Sequence, residues 1–395
     1  MKLYAQHVYG VGEKITLGLE DDFIDGVIYS PRDIKKSKLK SELSLYKETG
    51  ADLLLDPQFY VSLYNDEPNV KKRHLDTWKY FKGYKKSQLE TSSNIRNVLD
   101  KFYGDILDLN ITSIITPNIY ITKSFNSAEA VIAKNFIREA KDVQKKHKDK
   151  REVYASLIID WEAFFNKDDF EEFLDDLTQI QNKPEGIYLI IGSQSIDPQE
   201  DFFVSDVISG WLKLNYALTI NGYKVINGYS DLLTPLLGTV GAYAGATGWW
   251  SNLRFFKMDR FIPSTSGGGK IPIIRYLSNL LFNRVKFAEL EAASVILPKI
   301  KNNLECDKYY NPEPDSRGQE MLQSWEALKS MINTYCTNQD DVDQKLKNFT
   351  QHLKDSQKAY DTLRLSNIRF DKKSNDDHLP NIISSIKNFK EWAEI

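Results

Sequence analysis

A chain of 395 residues, 41% hydrophobic and 12% aromatic, has the length for one core of roughly 250 to 280 residues plus a smaller unit. Its 52 basic and 55 acidic residues nearly cancel, to a formal net charge of -3, so no overall field gathers nucleic acid or an anionic membrane surface. Cys306 and Cys336, far apart in the chain, support neither a disulfide framework nor a cysteine-rich zinc site. No apolar run approaches the roughly 20 residues of a membrane span, and the stretch from Met1 to Val8 lacks a signal-peptide core, so a reducing, cytoplasmic setting is expected.

Residues 1–22 carry Tyr4, Val8, Ile15 and Leu17 between glycines, which reads as a short hairpin or plug ahead of the main fold. Residues 24–30 form an apolar strand stopped by Pro31, and 32–49 repeat Leu and Ile at helical spacing up to Gly50. A second strand, 51–56, ends in Asp56 and Pro57. Strand, amphipathic helix and strand in so short a span make a βαβ unit with parallel strands.

The unit repeats after an insertion at about 57–93. Helices near 94–108, 127–147, 167–181 and 202–220 alternate with apolar runs beginning near 111, 153, 187 and 223, and further runs begin near 241 and 272. Eight strands alternating with helices predict a (β/α)8 barrel of the TIM type over residues 1–300. The runner-up, an open doubly wound sheet, lacks its glycine fingerprint, because Tyr29 to Asp33 stands after the first predicted strand. From 301 to 395 a polar stretch with Pro312 and Pro314 gives way to helical spacing, which predicts a helical appendage.

A barrel works at the C-terminal ends of its strands. The candidates there are Asp56, Asp160 and Glu162 for catalysis, with Tyr29, Asn227, Tyr229, Trp249, Trp250, Arg254, Lys270, Arg275 and Tyr276 for binding. None of His7, His74, His147, His352 and His378 falls at a predicted strand end, so no metal or other cofactor is implied and proton transfer falls to carboxylates or tyrosines.

In Asp160-Trp161-Glu162, alternate residues of an extended segment face one way, so both carboxylates can meet at the mouth with their pKa values pushed apart. The triplet resembles the end of the fourth-strand motif of family 18 chitinases, with Ile158 and Ala155 where that motif carries its preceding aspartates. The competing reading has either acid capping the next helix or pairing with a lysine. Trp249 and Trp250 suit stacking on a sugar or base, or anchoring the helical region. The loop from Ser264 to Lys270 offers backbone donors to an anion, helped by Arg254 and Arg275, or serves as a lid. Lys71 to Lys86 interleaves basic residues with Trp78, Tyr80, Phe81 and Tyr84, a pattern for single-stranded nucleic acid or for a solvated face.

The function these features predict is cleavage or exchange of an N- or O-glycosidic bond in a sugar- or nucleoside-containing substrate by carboxylate acid/base chemistry. The alternative is a non-catalytic barrel that binds protein partners through its insertion and helical tail. A third reading, a Schiff-base lyase, meets the difficulty that Lys224 lies at the start of its strand.

Overall fold

The computed structural model describes residues 1–7, 13–64, 72–193, 202–261, 273–336 and 341–395. In chain order the first elements are β1 (Lys2–His7), α1 (Glu13–Glu20), β2 (Gly26–Tyr29), α2 (Lys36–Leu45), β3 (Asp52–Leu55), α3 (Ser92–Ile106), β4 (Ile114–Thr116) and β5 (Tyr120–Ile121). There follow α4 (Ala128–Lys146), β6 (Val153–Asp160), α5 (Lys167–Thr178), β7 (Gly186–Ser193), α6 (Ser205–Ile220), β8 (Lys224–Gly228), α7 (Thr234–Thr239) and β9 (Ala244–Thr247). The chain then forms α8 (Ser251–Arg254), β10 (Phe256–Lys257), β11 (Arg275–Ser278), β12 (Asn283–Lys286), α9 (Phe287–Ile296), α10 (Arg317–Tyr335), α11 (Val342–Leu365) and α12 (His378–Ala393).

Every residue of β6 and β7 is buried, which is what strands covered on one side by helices and on the other by a barrel interior require. Eight parallel strands run in the order β3, β2, β1, β9, β8, β7, β6, β4. The ring is nearly closed, because Thr112 joins its two ends: its N–H donates to the Leu53 carbonyl at 2.8 Å and its hydroxyl accepts from the Leu53 N–H at 2.9 Å. The molecule is a (β/α)8 barrel with the expected alternation of helices.

The strand set departs from the sequence reading at both ends. Residues 2–7, expected to be a plug or hairpin, are a barrel strand paired in parallel with β2 and β9. Residues near 272, expected to be the eighth strand, lead instead to β11, which pairs antiparallel with β12 in a separate two-stranded sheet. Val153–Asp160 is therefore the fifth barrel strand and not the fourth, which removes the positional half of the chitinase resemblance.

The C-terminal region is helical as expected, and α10 packs between α1 and α7 at the eighth helix position of the ring. Glu320 near its start bonds Arg254 after β9, and Lys329 near its end meets Asp25 before β2 at 2.5 Å, so it runs antiparallel to the strands as barrel helices do. Trp325 buries its ring against Gly18 of α1. The small sheet is fastened to the barrel by an ion pair with almost no solvent. Arg284 on β12 donates to both oxygens of Asp231 after β8, at 2.5 and 2.9 Å, and Thr247 on β9 donates to the same carboxylate at 2.5 Å. Among the described residues no helix is long and apolar enough to cross a membrane.

Replacing Arg284 by Met strands the Asp231 carboxylate in the interior, and the unfolding free energy should fall by about 3–5 kcal/mol. The double variant Asp231→Asn/Arg284→Met should recover part of that loss. Chemical denaturation of the three proteins measures both effects, and an Arg284→Met variant as stable as the wild type would show that this pair does not fasten the hairpin.

Candidate functional site

Alternation along the strands points Lys2, Tyr4 and Gln6 of β1 into the barrel. At the base, Lys2 and Tyr4 meet Asp52 at 2.5 and 2.7 Å, and at the opposite, C-terminal end Gln6 donates to the Tyr188 hydroxyl of β7 at 3.1 Å. That end holds a polar cluster. Asp56, one residue beyond β3, accepts from the Gln58 N–H at 3.0 Å and from the Tyr60 hydroxyl at 2.9 Å. Asp160, the last residue of β6, accepts from the Glu162 N–H at 3.0 Å and from the Tyr120 hydroxyl at 2.7 Å. Tyr229, just past β8, accepts from Arg260 at 3.2 Å.

Phe256 sits among these groups. Its ring centroid lies 5.1 Å from Tyr60, 6.2 Å from Tyr120 and 5.3 Å from Tyr229, so the tyrosines of both aspartate–tyrosine pairs pack about one ring. The close approach explains Gly192, where a Cβ would stand 2.7 Å from the Tyr120 hydroxyl and 2.9 Å from the Phe256 ring. Three non-glycine residues at this rim, Gln58, Tyr229 and Asp231, hold left-handed backbone with φ of 53, 56 and 37°, a strain that persists only where surrounding contacts over-determine it. Two buried amide atoms, Gln6 Oε1 and Gln58 Nε2, have no hydrogen-bond partner among the described residues.

Electrostatics separates the carboxylates. Burial pushes the Asp56 carboxyl up to about 6, against the hydrogen bonds from Gln58 and Tyr60 and the field of Arg260. Burial also works to raise Asp33, but the guanidiniums of Arg260 and Arg32 outweigh it and hold that carboxyl below its ordinary range. Asp33 accepts from Arg32 and Arg73 at 2.7 Å each, from Ser30 at 3.0 Å and from Arg260. Loss of solvent draws Arg32 down to about 10, an effect that Asp33 opposes and the neighbouring Arg260 and Arg73 reinforce.

Of the residues singled out in the sequence, Asp56, Asp160 and Tyr229 meet at this mouth. Glu162 does not: the Asp160 carboxylate caps its backbone N–H, while its side chain is exposed and lines an outer surface cavity of about 570 Å³ with Lys123 and Phe165. Tyr29 and Asn227 point outward from their strands. The Tyr29 ring meets His7 edge-on at 5.5 Å, and Asn227 is held by Trp211 at 2.6 Å and Asn215 at 3.0 Å of α6. Trp249 and Trp250 meet in a tilted ring contact at 4.7 Å, with Lys14 over Trp249.

The expected anion-binding set is dispersed. Arg254 is committed to Glu320 at 3.1 Å, Arg275 to Asp371 at 2.6 Å in the small sheet, and Tyr276 beside it to Asp307 at 2.8 Å. Lys270 lies outside the described residues, as do Lys71 and the whole loop from Ser264 to Lys270. In the 57–93 insertion Trp78, Tyr80 and Phe81 are buried, Arg73 binds Asp33 and Lys86 binds Glu129, so these three rings cannot stack on bases. His7 does end a strand, contrary to expectation. It faces the helix layer, 3.8 Å from Glu42, rather than the mouth.

Sequence reasoning missed Asp33 and Arg260. Asp33 follows the strand-end Ser30-Pro31-Arg32, a polar cluster that was readable, whereas Arg260 lies in a segment without periodicity.

No family model and no curated protein matches the chain. A solved structure, the HpcH/HpaI aldolase from Desulfitobacterium hafniense DCB-2, is similar over 62% of this chain and 86% of its own, at 11% identity and a TM-score of 0.34. The expectation of a glycosidic-bond enzyme is corrected here. The similar structure is named an aldolase, a likeness too slight to lend this chain a function. The geometry removes the premise directly, since the Asp160 and Glu162 carboxylates do not share the mouth and Trp249 is covered by Lys14.

The Asp56 assignment has a stability signature. A carboxyl raised from 3.8 to about 6 in the folded protein holds its proton more tightly there than when unfolded, so its contribution is greatest below pH 4 and is lost as pH rises through 6. Relative to Asp56→Asn, the wild type should lose about 3 kcal/mol over that window. Denaturant titrations of both proteins from pH 4 to 8 measure the difference, and parallel curves would place Asp56 at an ordinary pKa.

Proposed function

We propose that the barrel is an enzyme that moves a proton on a small-molecule substrate at this mouth, with Asp56 as the base and Tyr60 as its hydrogen-bonding partner. The observation that carries the reading is a fully buried carboxyl, brought near neutrality, at the C-terminal end of a barrel strand beside a buried arginine. A carboxylate of that strength takes a proton in the physiological range and returns it, which a carboxylate at its ordinary value does poorly.

The chemistry best supported is abstraction of a proton from carbon next to a carbonyl. Asp56 takes the proton. The electron pair moves onto the carbonyl oxygen, where a tyrosine hydroxyl and the Arg260 guanidinium stabilise the developing charge. Enolates of this kind are shared by isomerisation and by carbon–carbon bond making and breaking. A Schiff-base route has less support, because Lys224 sits at the base of the barrel on Glu152, at 2.6 Å. Phe256 and Phe261 pack edge-on against Tyr60, the partner of Asp56, so the segment carrying them has to shift for substrate to enter.

Solvent deuterium exchange into a panel of small ketones and aldehydes, followed by proton NMR, tests the reading. The wild type should exchange at least one panel member, with kcat/KM rising as pH passes through about 6 because the ionised base is required. Asp56→Asn should lower the rate by about 10²- to 10⁴-fold, and Tyr60→Phe should lower it less. Exchange undiminished in Asp56→Asn, or absent throughout the panel in the wild type, would end this assignment.

A further inference from the structure

The site described above contains a binding element that acid–base chemistry alone does not require. Three guanidiniums and a serine hydroxyl converge on the single carboxylate of Asp33. Oδ1 accepts from Arg32 and Arg73, both at 2.7 Å, and Oδ2 accepts from Ser30 at 3.0 Å and from Arg260. Arg260 spends a donor on Ser30 as well, at 3.1 Å. Among ordinary ion pairs in this molecule one carboxylate commonly meets one cation, as Glu139 meets Arg96 and Glu152 meets Lys224. Collecting three arginines around one acid places like charges side by side, and Arg260 and Arg73 add to the lowering of the Arg32 pKa that burial begins.

The position of the cluster gives that cost a use. Arg73 is 55% exposed, whereas the side chains of Arg32, Asp33 and Arg260 are 4% exposed, so the cluster leads from solvent inward. Its inner end, Arg260, bonds Tyr229 at 3.2 Å and lies within the field of Asp56. Gln58 accepts from the Arg32 N–H at 3.2 Å, which orients the side chain, and leaves its Nε2 donor buried with no partner among the described residues. A buried donor held this way, on a side chain tied to the Arg32 backbone, is arranged for an acceptor oxygen that no described residue provides.

We propose that Asp33 holds the place of a substrate oxyanion: an incoming carboxylate or phosphate group takes over the guanidiniums of Arg32, Arg73 and Arg260, with Gln58 Nε2 as a further donor. Planar, forked donors suit both oxyanions, so the shared chemistry is a two- or three-oxygen anion. This inference rests on the mouth being the substrate site, and it assigns the substrate class as an anionic carbonyl compound. No bond forms or breaks in this step. One anion replaces another at the same donors.

Binding of sodium phosphate and of sodium malonate to the full chain, by calorimetry at constant ionic strength balanced with chloride, tests it. The wild type should bind at least one of the two, and whichever binds identifies phosphate or carboxylate as the group accepted. Asp33→Asn, which removes the competing carboxylate, should bind that anion about tenfold more tightly, the opposite of what loss of a merely structural ion pair would do. Arg73→Gln, altered at the exposed end, should bind about fivefold more weakly. Should Asp33→Asn fail to fold, the wild type against Arg73→Gln decides, and equal affinity in those two overturns the proposal. So does absence of binding to both anions in the wild type and in Asp33→Asn. A protein that exchanges carbon-bound protons through Asp56 yet binds neither anion refutes only the anion site, and one that binds an anion without such exchange refutes only the acid–base reading.

Discussion

The architecture depends on one parallel pairing, the insertion of residues 2–7 between β2 and β9. Without it the first and last βα units would each present an unpaired strand edge, and the sheet would stay open. With it, Tyr4 stands opposite Gly26 and Ala246, and Gln6 opposite Ile28. That register carries Gln6 up to Tyr188 and places Asp56, Asp160 and Tyr229 on one rim. The strand is also the most polar of the eight on its inner side, with Lys2, Tyr4 and Gln6 facing inward. Asp52 at the base answers Lys2 and Tyr4, and Tyr188 at the mouth accepts from the Gln6 amide N–H.

The same polarity made this strand illegible in the sequence. Runs such as Leu157-Ile-Ile and Leu189-Ile-Ile announce burial on both faces, and that made them readable. Lys2-Leu-Tyr-Ala-Gln-His breaks that pattern, since its inward residues answer polar partners far off in the chain, which no local periodicity reveals. The converse error has the same root. Ile273 to Tyr276 is apolar enough for a barrel strand, yet β11 finds its partner in β12, five residues on, a pairing set by the turn at Asn279 to Phe282. Local apolarity reports burial and not the partner that supplies it.

The site divides along the same line. Asp56 and Asp160 were legible because a carboxylate ending an apolar strand is conspicuous, and barrel geometry says where strand ends go. Asn227 and Tyr29 occupy strand ends too, but pleating turns them toward the helix layer, and a shift of one residue in the assumed register would exchange the two faces. Arg260 could not have been found this way. It reaches the mouth by tertiary folding of a segment whose regular pairing, among the described residues, is the two-residue contact of β10 with β7.

Two carboxylates at this mouth, Asp33 and Asp56, are both almost without solvent and are driven in opposite directions, so burial alone cannot set either. Direct contact makes the difference. Asp33 touches three guanidiniums and stays an anion, whereas Asp56 touches a tyrosine hydroxyl and a backbone N–H and feels Arg260 only at a distance. Moving Arg260 a few ångströms, as the segment bearing Phe256 shifts, would alter both at once. Asp33 would lose one of three cations and remain ionised. Asp56 would lose the one cation that favours its charged form, and its proton affinity would rise. Proton uptake at Asp56 is thereby coupled to the position of Arg260, and through it to whatever anion Arg260 holds.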